Sequence, residues 1–171
     1  TDSEPICPSD ISFIWHYFKL LRTLDFEMIN IGITFPVEIG LLVHLRYLAV
    51  SGYMRSIPQS VANLRKLETF VVKGLRGQVV LPDNIWSMAS LRHLHVNMHV
   101  AFKLDDKEFG GCCELGNLVS FLRLSLSCCE DTENIVTRLP NLRDLTCIFF
   151  HPWDSSQNCG QFPNLNSLTR L

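Results

Sequence analysis

Two histidines separated by one residue, His93 and His95, are the part of this sequence that most resembles a metal site. In a strand their side chains lie on one face about 7 Å apart, so both imidazoles could share a metal with a third ligand from a neighbouring strand. Zinc motifs with strong signals add a second pair at fixed spacing, and the adjacent pairs Cys112-Cys113 and Cys128-Cys129 do not match Cys-x-x-Cys. We therefore predict no bound metal.

Catalytic motifs are equally weak. A Ser or Cys nucleophile, a His and an orienting carboxylate must be brought together, and each residue type is too plentiful here for its presence to predict anything. No Gly-x-Ser-x-Gly motif occurs, and none of the nine glycines belongs to a Gly-x-x-x-x-Gly-Lys-Ser/Thr phosphate loop. We predict that the chain is not an enzyme, has no cofactor and binds neither ADP nor ATP.

The composition favours a protein partner over nucleic acid or a membrane. The 171 residues are 47% hydrophobic, enough for a core of normal depth, and 15 basic residues nearly balance 17 acidic ones. No apolar run approaches the roughly 20 residues of a membrane span, and residues 1–10 lack the basic start of a signal peptide. Seven cysteines, four of them in adjacent pairs, and the lack of Asn-x-Ser/Thr sites predict free thiols in the cytoplasm, with the nucleus as an alternative compartment.

An internal repeat, Leu-x-x-Leu-x-Leu written loosely, runs along the chain. Its starts are Leu21, Leu45, Leu67, Leu91, Leu118 and Leu142, at intervals of 24, 22, 24, 27 and 24 residues. The prolines Pro36, Pro58 and Pro82 each stand nine residues before a start and are followed by apolar residues at every third position. A further copy around Leu165 is cut short at Leu171, which brings the count to about seven.

The two halves of the unit favour different structures. Alternating apolar positions at its end suit a half-buried strand, and the spacing of three after the proline suits a short helical or 3₁₀ turn. One unit cannot bury both faces, but stacked units can. We predict an α/β leucine-rich-repeat solenoid with a parallel sheet on the concave face and short helices, 3₁₀ turns and loops on the convex face. Residues 1–17 are an N-terminal flank or partial repeat, and residues 18–171 are the repeat domain, truncated at both ends.

The strand period of two selects the candidate contacts, because the leucines point inward and the residues between them face the concave surface. Tyr47, His93 and His95 are the strongest individual candidates, since a rigidly held aromatic side chain gives contact area at low entropic cost. The predicted protein-binding residues are Thr23, Asp25, Glu27, Tyr47, Ser51, Thr69, Val71, Lys73, His93, His95, Asn97, Asp144 and Thr146, and the same strand positions also include Ala49, Ser120 and Leu122.

Two features depart from a regular repeat. Repeats of this class often carry Asn three residues after the last strand leucine, whereas those positions here hold Ile29, Tyr53, Leu75, His99, Leu126 and Phe150. The stretch from Val100 to Asn117 is the least regular, and we expect it to bulge from the lateral or convex side.

The sequence resembles the leucine-rich-repeat region of plant coiled-coil, NB-ARC, leucine-rich-repeat disease-resistance proteins (NLR immune receptors), in particular the late-blight-resistance group of nightshade plants. The phrases that carry the resemblance are Phe18 to Asp25, Leu42 to Ala49, Ile57 to Phe70 and Leu81 to Leu94. It implies a sensor region that takes part in effector recognition and restrains an NB-ARC nucleotide switch. The partner would then be a pathogen effector, a guarded host protein or the receptor's own NB-ARC region.

Other interpretations remain open at the level of sequence. The same surface would serve the substrate-recognition part of an F-box ubiquitin ligase, and only a neighbouring NB-ARC region or F-box would distinguish the two. A metal protein built around His93 and His95 is a third interpretation. The fourth is an isolated fragment without activity of its own, because neither end has an obvious polar cap.

Overall fold

The computed structural model describes residues 11–75, 77–97, 99–102, 114–127 and 135–150. The strands in these ranges are β1 (Thr23–Asn30), β2 (Tyr47–Gly52), β3 (Thr69–Gly74), β4 (Gln78–Leu81), β5 (His93–Val96), β6 (His99–Phe102), β7 (Ser120–Ser127) and β8 (Asp144–Phe150). Helical segments are short and comprise α1 (Ser12–Tyr17) and the 3₁₀ helices Val37–Leu41, Gln59–Asn63 and Asp83–Ser87.

Six of the described strands form one parallel sheet in the order β1-β2-β3-β5-β7-β8. Each repeat unit contributes one strand, and the chain returns to the next strand through a helical turn or loop, as a parallel connection requires. The register confirms six of the predicted repeat units, including the two looser ones, whereas the predicted seventh, around Leu165, lies outside the described residues. One row of partners consists of Leu24, Leu48, Phe70, Leu94, Phe121 and Leu145, the second apolar position of each unit.

The proline-led turns are also confirmed. Pro36, Pro58 and Pro82 each immediately precede a 3₁₀ helix. Their carbonyl oxygens accept hydrogen bonds from the backbone N–H three residues later, at 3.3, 3.2 and 3.0 Å. A proline suits this position because its missing N–H would have no helical partner there and its φ angle is already restricted.

The core lies between the six-stranded sheet and these turns. Strand residues such as Leu48 and Leu94 are 0% exposed, as are Ile39 and Val61 on the 3₁₀ helices. They belong to one continuous apolar cluster that extends from α1 to the last described repeat unit. Burial of both halves of the unit in one cluster explains why the repeat needs a leucine on the strand and an apolar residue three positions after each proline.

A second, two-stranded parallel sheet joins β4 to β6 and was not expected from the sequence. Val79 and Leu81 alternate with Gln78 and Val80 and are fully buried, which is the pattern of a strand with one face on the core. The expectation that the chain leaves regular structure at Val100 is wrong for its first three residues, because they belong to β6. Most of the expected bulge, residues 103–113, lies outside the described residues.

The N-terminal flank contains α1, which packs beside the 3₁₀ helix Val37–Leu41. Trp15 anchors it, with 2% exposure and an edge-to-face contact with Phe26 at 6.5 Å between ring centroids. Among the described residues, no helix is both long enough and apolar enough to cross a membrane.

Asparagines do join neighbouring repeat units, but at positions other than the expected one. The Asn97 side-chain oxygen accepts a hydrogen bond from the Gly74 N–H at 2.8 Å. On the other side of the core, the Asn117 side-chain amide donates to the Ala89 carbonyl at 2.7 Å, and Asn141 donates to the preceding unit in the same way. These bonds satisfy backbone groups between units, which is the task of an asparagine ladder.

Candidate functional site

The outer face of the six-stranded sheet carries the side chains predicted as contacts. We call it the open face and define it by two rows of register partners that cross all six strands. The first row is Thr23, Tyr47, Thr69, His93, Ser120 and Asp144, and the second is Asp25, Ala49, Val71, His95, Leu122 and Thr146. Side chains two residues apart on a strand share a face, so both rows point away from the core.

The structure brings most of the predicted contact residues to this face with accessible side chains. The exposed ones are Thr23, Asp25, Asn97, Asp144 and Thr146, and the half-buried ones are Glu27, Tyr47, Thr69, Val71, Lys73, His93 and His95. Polar atoms and parts of aromatic and aliphatic side chains are therefore available side by side. Their participation in binding remains a prediction.

The predicted contact residue Ser51 is buried, as are Ala49 and Ser120 on the same strand positions, and its contact with a partner stays a prediction. Ser51 is 6% exposed, Ala49 0% and Ser120 7%. The cause is their small size, since each stands between larger side chains of the two neighbouring strands. Alternation assigns a face to a residue, but the side chains beside it decide whether solvent or a partner can reach it.

An ion pair crosses the open face from β1 to β3. The Lys73 ammonium contacts the Glu27 carboxylate, and the pair spans β2, whose residue in register with Lys73 is the short Ser51. Glu27 reaches this position because it lies in a bulge of β1, where the register jumps from Phe26 to Asn30. The ion pair covers Ser51 and forms one wall of the surface beside it.

His93 and His95 both contact the hydroxyl of Ser120 on the neighbouring strand. Nδ1 of His93 lies 2.8 Å from Ser120 Oγ, and Nε2 of His95 lies 3.3 Å from the same atom. A hydroxyl has one proton to donate and lone pairs to accept with, so it can donate to one imidazole while accepting from the other. The two rings stand edge to face, 6.3 Å between centroids. Ser120 thus holds both histidines in one orientation.

Two groups on the open face have shifted pKa values. Burial, and then the neighbouring imidazole of His93, lowers the pKa of His95, which favours its neutral form. Burial, followed by the carboxylates of Asp25 and Glu27, raises the pKa of Tyr47 despite an opposing effect of Lys73. At neutral pH the face therefore presents a protonated phenol and a neutral imidazole, both able to form hydrogen bonds with a partner.

A depression of about 310 Å³ lies between these groups. Its lining is Glu27, Val71, Val72, Lys73, His95, Val96, Asn97, Leu122 and Thr146. Aliphatic groups of Val71 and Leu122 alternate here with the ion pair and the imidazole. Such a surface suits one apolar side chain of a partner, with polar groups at its margin.

Metal ligands do not converge on this site in the described part of the chain. No three His, Cys, Asp or Glu side chains there lie close enough to hold an ion together. One ring nitrogen of each of His93 and His95 contacts the Ser120 hydroxyl instead of a metal ligand partner. Both cysteine pairs lie outside the described residues.

Comparison with known proteins agrees with this architecture. The chain matches the family described as "Leucine-rich repeat region" over residues 6–171. The chain belongs to this family. A leucine-rich-repeat region is a protein-interaction structure, and nothing in the match indicates an enzyme.

The resemblance to late blight resistance proteins is confirmed. This leucine-rich-repeat chain is 37% identical over 143 residues to the late blight resistance protein homolog R1B-8 of Solanum demissum, an alignment that covers 80% of the chain and 11% of that protein. It is 36% identical over 142 residues to late blight resistance protein R1-A of the same species, with 80% and 11% covered. The chain therefore spans about a tenth of the length of these curated relatives.

Two features of the leucine-rich-repeat surface were missed by the sequence analysis. The Glu27–Lys73 ion pair depends on a bulge in β1, which no local motif announces. The contact of Ser120 with two histidines joins residues 27 and 25 positions apart in sequence. Alignment of the repeat units against one another would place Ser120 beside His93, but it would not reveal which rotamers bring their polar atoms together.

Proposed function

We propose that the chain is a protein-binding sensor segment of an intracellular plant immune receptor, and that the open face is the concave surface of a solenoid of about seven repeats. In this proposal residues 18–171 are the repeat domain and residues 1–17 its flank. Its partner is a pathogen effector, a guarded host protein or an NB-ARC region of the same receptor, in the cytoplasm or the nucleus. The chain itself holds no nucleotide, metal or other cofactor.

The observation that carries the proposal is the arrangement of the open face. A half-buried tyrosine, two oriented imidazoles and a depression with aliphatic walls occupy neighbouring strands of one rigid sheet. Binding hot spots combine such ordered aromatic groups with a recess that excludes water. A rigid sheet loses little conformational entropy on binding, so these contacts contribute more of their energy to affinity.

The names of the relatives favour an immune receptor over the F-box alternative. Those names describe late blight resistance proteins. A role in effector recognition and in restraint of the NB-ARC switch follows only by analogy with that class. It is therefore part of the proposal.

The test uses the complete receptor that contains this segment, expressed in leaves of a nightshade plant. It is expressed together with each member of a panel of proteins that the late blight pathogen secretes. Val71→Arg places a long cation over the depression, which a partner's apolar side chain would have to displace. We expect one panel member to trigger cell death with the unchanged receptor, and Val71→Arg to abolish that response while the receptor accumulates to the same level.

Gln59→Arg is the matched control, because Gln59 is exposed on a 3₁₀ helix and lines no part of the depression. We expect it to respond like the unchanged receptor. Cell death without any effector in Val71→Arg alone would support the restraining role of the same face. Equal, effector-dependent responses from both variants would rule out the open face as the recognition surface.

A further inference from the structure

A second recess lies away from the open face, beside the two-stranded sheet. Its volume is about 1060 Å³, and it separates residues 33–37 of one repeat unit from residues 53–58 of the next. We call it the lateral groove. Its lining is Ile33, Thr34, Phe35, Val37, Tyr53, Arg55, Ser56, Pro58, Gly77, Gln78 and Val80. None of these residues lines the depression on the open face.

The lateral groove begins where the two repeat units part. Asn30 accepts a hydrogen bond from the Gly32 N–H at 2.9 Å, and Gly32 turns the chain with a φ of 88°. The Gly32 carbonyl then accepts from the Tyr53 N–H at 2.9 Å. Beyond this contact, no backbone hydrogen bond joins residues 33–36 to residues 54–57 in the described part of the chain. The two units are therefore joined by the Tyr53–Gly32 hydrogen bond at one end of the groove and by the packed 3₁₀ helices Val37–Leu41 and Gln59–Asn63 at the other, and the groove lies between these contacts.

One wall of the groove ends in an unpaired strand edge. Ser56 forms a parallel bridge with Val80, in which the Val80 N–H donates to the Arg55 carbonyl and the Ile57 N–H donates to the Val80 carbonyl, both at 2.9 Å. In a parallel bridge of this kind, the N–H and C=O of the central residue point to the opposite side. Those two groups of Ser56 face the groove, and no hydrogen bond to either is found among the described residues.

Among the described residues, the groove is lined mainly by apolar side chains together with the cation Arg55. Ile33 is 76% exposed and Val37 60%, so both aliphatic side chains are accessible to a partner. Arg55 is also exposed. An unpaired backbone edge between apolar walls is the arrangement to which proteins add a strand from another chain.

We propose that the lateral groove binds an extended segment of a partner protein. The segment pairs its backbone with Ser56, which is itself bridged to Val80 of β4. It therefore adds a strand beside Ser56 and widens the sheet that contains β4 and β6. Its apolar side chains pack against Ile33 and Val37, and an acidic side chain meets Arg55. A strand fits better than a helix, because a helix bonds its own backbone internally and would leave the Ser56 groups without partners.

Charge and hydrogen bonding both restrict the sequence of this segment. Arg55 favours a carboxylate, and each apolar wall favours a β-branched or aromatic residue on the same strand face. The surface is separate from the open face, so this proposal does not depend on the function proposed above.

The test is selection of twelve-residue random peptides on the full chain, followed by affinity measurement of the enriched peptides. We expect peptides that combine an acidic residue with apolar residues at alternate positions. Ser56→Pro removes the N–H that faces the groove and no hydrogen bond within the described fold, and it should weaken binding at least fivefold. Arg55→Glu should weaken binding at least as much, by repelling the peptide carboxylate.

Val37→Asp provides a variant that leaves the Ser56 backbone untouched, and we expect the same fivefold loss. Leu75→Asp is its matched control, since Leu75 is another exposed aliphatic residue but does not line the groove. It should bind like the unchanged chain. Thermal unfolding by circular dichroism checks that all variants are folded.

Three results would overturn the proposal. Enriched peptides that bind Ser56→Pro, Arg55→Glu and Val37→Asp as tightly as the unchanged chain do not use the groove. Peptides that lose affinity only with Val71→Arg bind the open face instead. Concentration-dependent dimers that disappear with Val37→Asp, in the absence of peptide binding, would assign the groove to a second copy of the chain.

Discussion

Gly52 provides the most direct test of how closely the first two repeat units approach one another. A Cβ added at this residue would lie 2.6 Å from the Gly32 carbonyl oxygen and 3.4 Å from the Gly32 nitrogen. The obstacle is backbone, so no side-chain rotation relieves it. The same carbonyl accepts the Tyr53 N–H, and moving it would strain the bond that fastens these units together. Gly52→Ala should therefore destabilise the protein.

The size of the effect follows from these contacts. Overpacking in a well-packed site costs about 1–3 kcal/mol. Replacing glycine by alanine also restricts the unfolded chain, which returns about 0.4–1 kcal/mol of stability. At the midpoints of these two ranges, about 2 and about 0.7 kcal/mol, the net loss is about 1.3 kcal/mol. With a urea m-value of about 2 kcal/mol/M, the unfolding midpoint should fall by about 0.5–1 M.

Urea unfolding followed by far-ultraviolet circular dichroism measures this shift. Gly116→Ala is the control, because a Cβ there meets no atom within 4 Å and Gly116 does not have a positive φ. Its midpoint should equal or exceed that of the unchanged chain. If Gly52→Ala is as stable as Gly116→Ala, the close approach of Gly52 and Gly32 is not present in solution, and the boundary drawn for the lateral groove is wrong.

Three further substitutions test the open face and the joins between units. Ser120→Ala removes the hydroxyl between His93 and His95 and should cost about 1 kcal/mol in urea unfolding, whereas an unchanged midpoint would mean that it does not orient them. Because the pKa of His95 is lowered in the folded state, the unfolded chain takes up a proton first as pH falls below about 6.5. Stability should thus drop between pH 7.5 and 5.5, and by less in His95→Gln; an equal drop would contradict the shift. Asn117→Ala removes the hydrogen bond to the Ala89 carbonyl and should lower the free energy of unfolding by about 0.5–1.5 kcal/mol. An unchanged free energy of unfolding would mean that water replaces the amide.

The fold could be predicted from the sequence because its signals are local and repeated. Pro36, Pro58 and Pro82 restrict their own backbone, and the apolar residues that follow at every third position fit only a short helical turn. The strand leucines have a period that assigns them to the core. Since the same pattern recurs at intervals of 22 to 27 residues, each unit confirms the others and the register across the sheet follows.

The second sheet was missed for the opposite reason. The segment Gln78–Leu81 has only four residues and closely follows a repeat strand, so its local sequence does not distinguish a strand from a loop. Their partners His99–Phe102 lie one repeat unit later. A strand of four residues is stable only when its neighbour is in place, and that neighbour is a tertiary contact.

Which strand side chains point away from the core could thus be predicted from the sequence, since a period of two separates core from surface on each strand. Only the tertiary structure decided which of them are accessible. Ser51 and Ser120 have the right parity but are buried, because the Glu27–Lys73 ion pair and the two imidazoles come from other strands. The lateral groove likewise arises from two segments 20 residues apart that meet at Gly32 and then diverge. The side of the sheet to which a side chain points depends on the local backbone. Its accessibility depends on side chains from other strands that pack beside it.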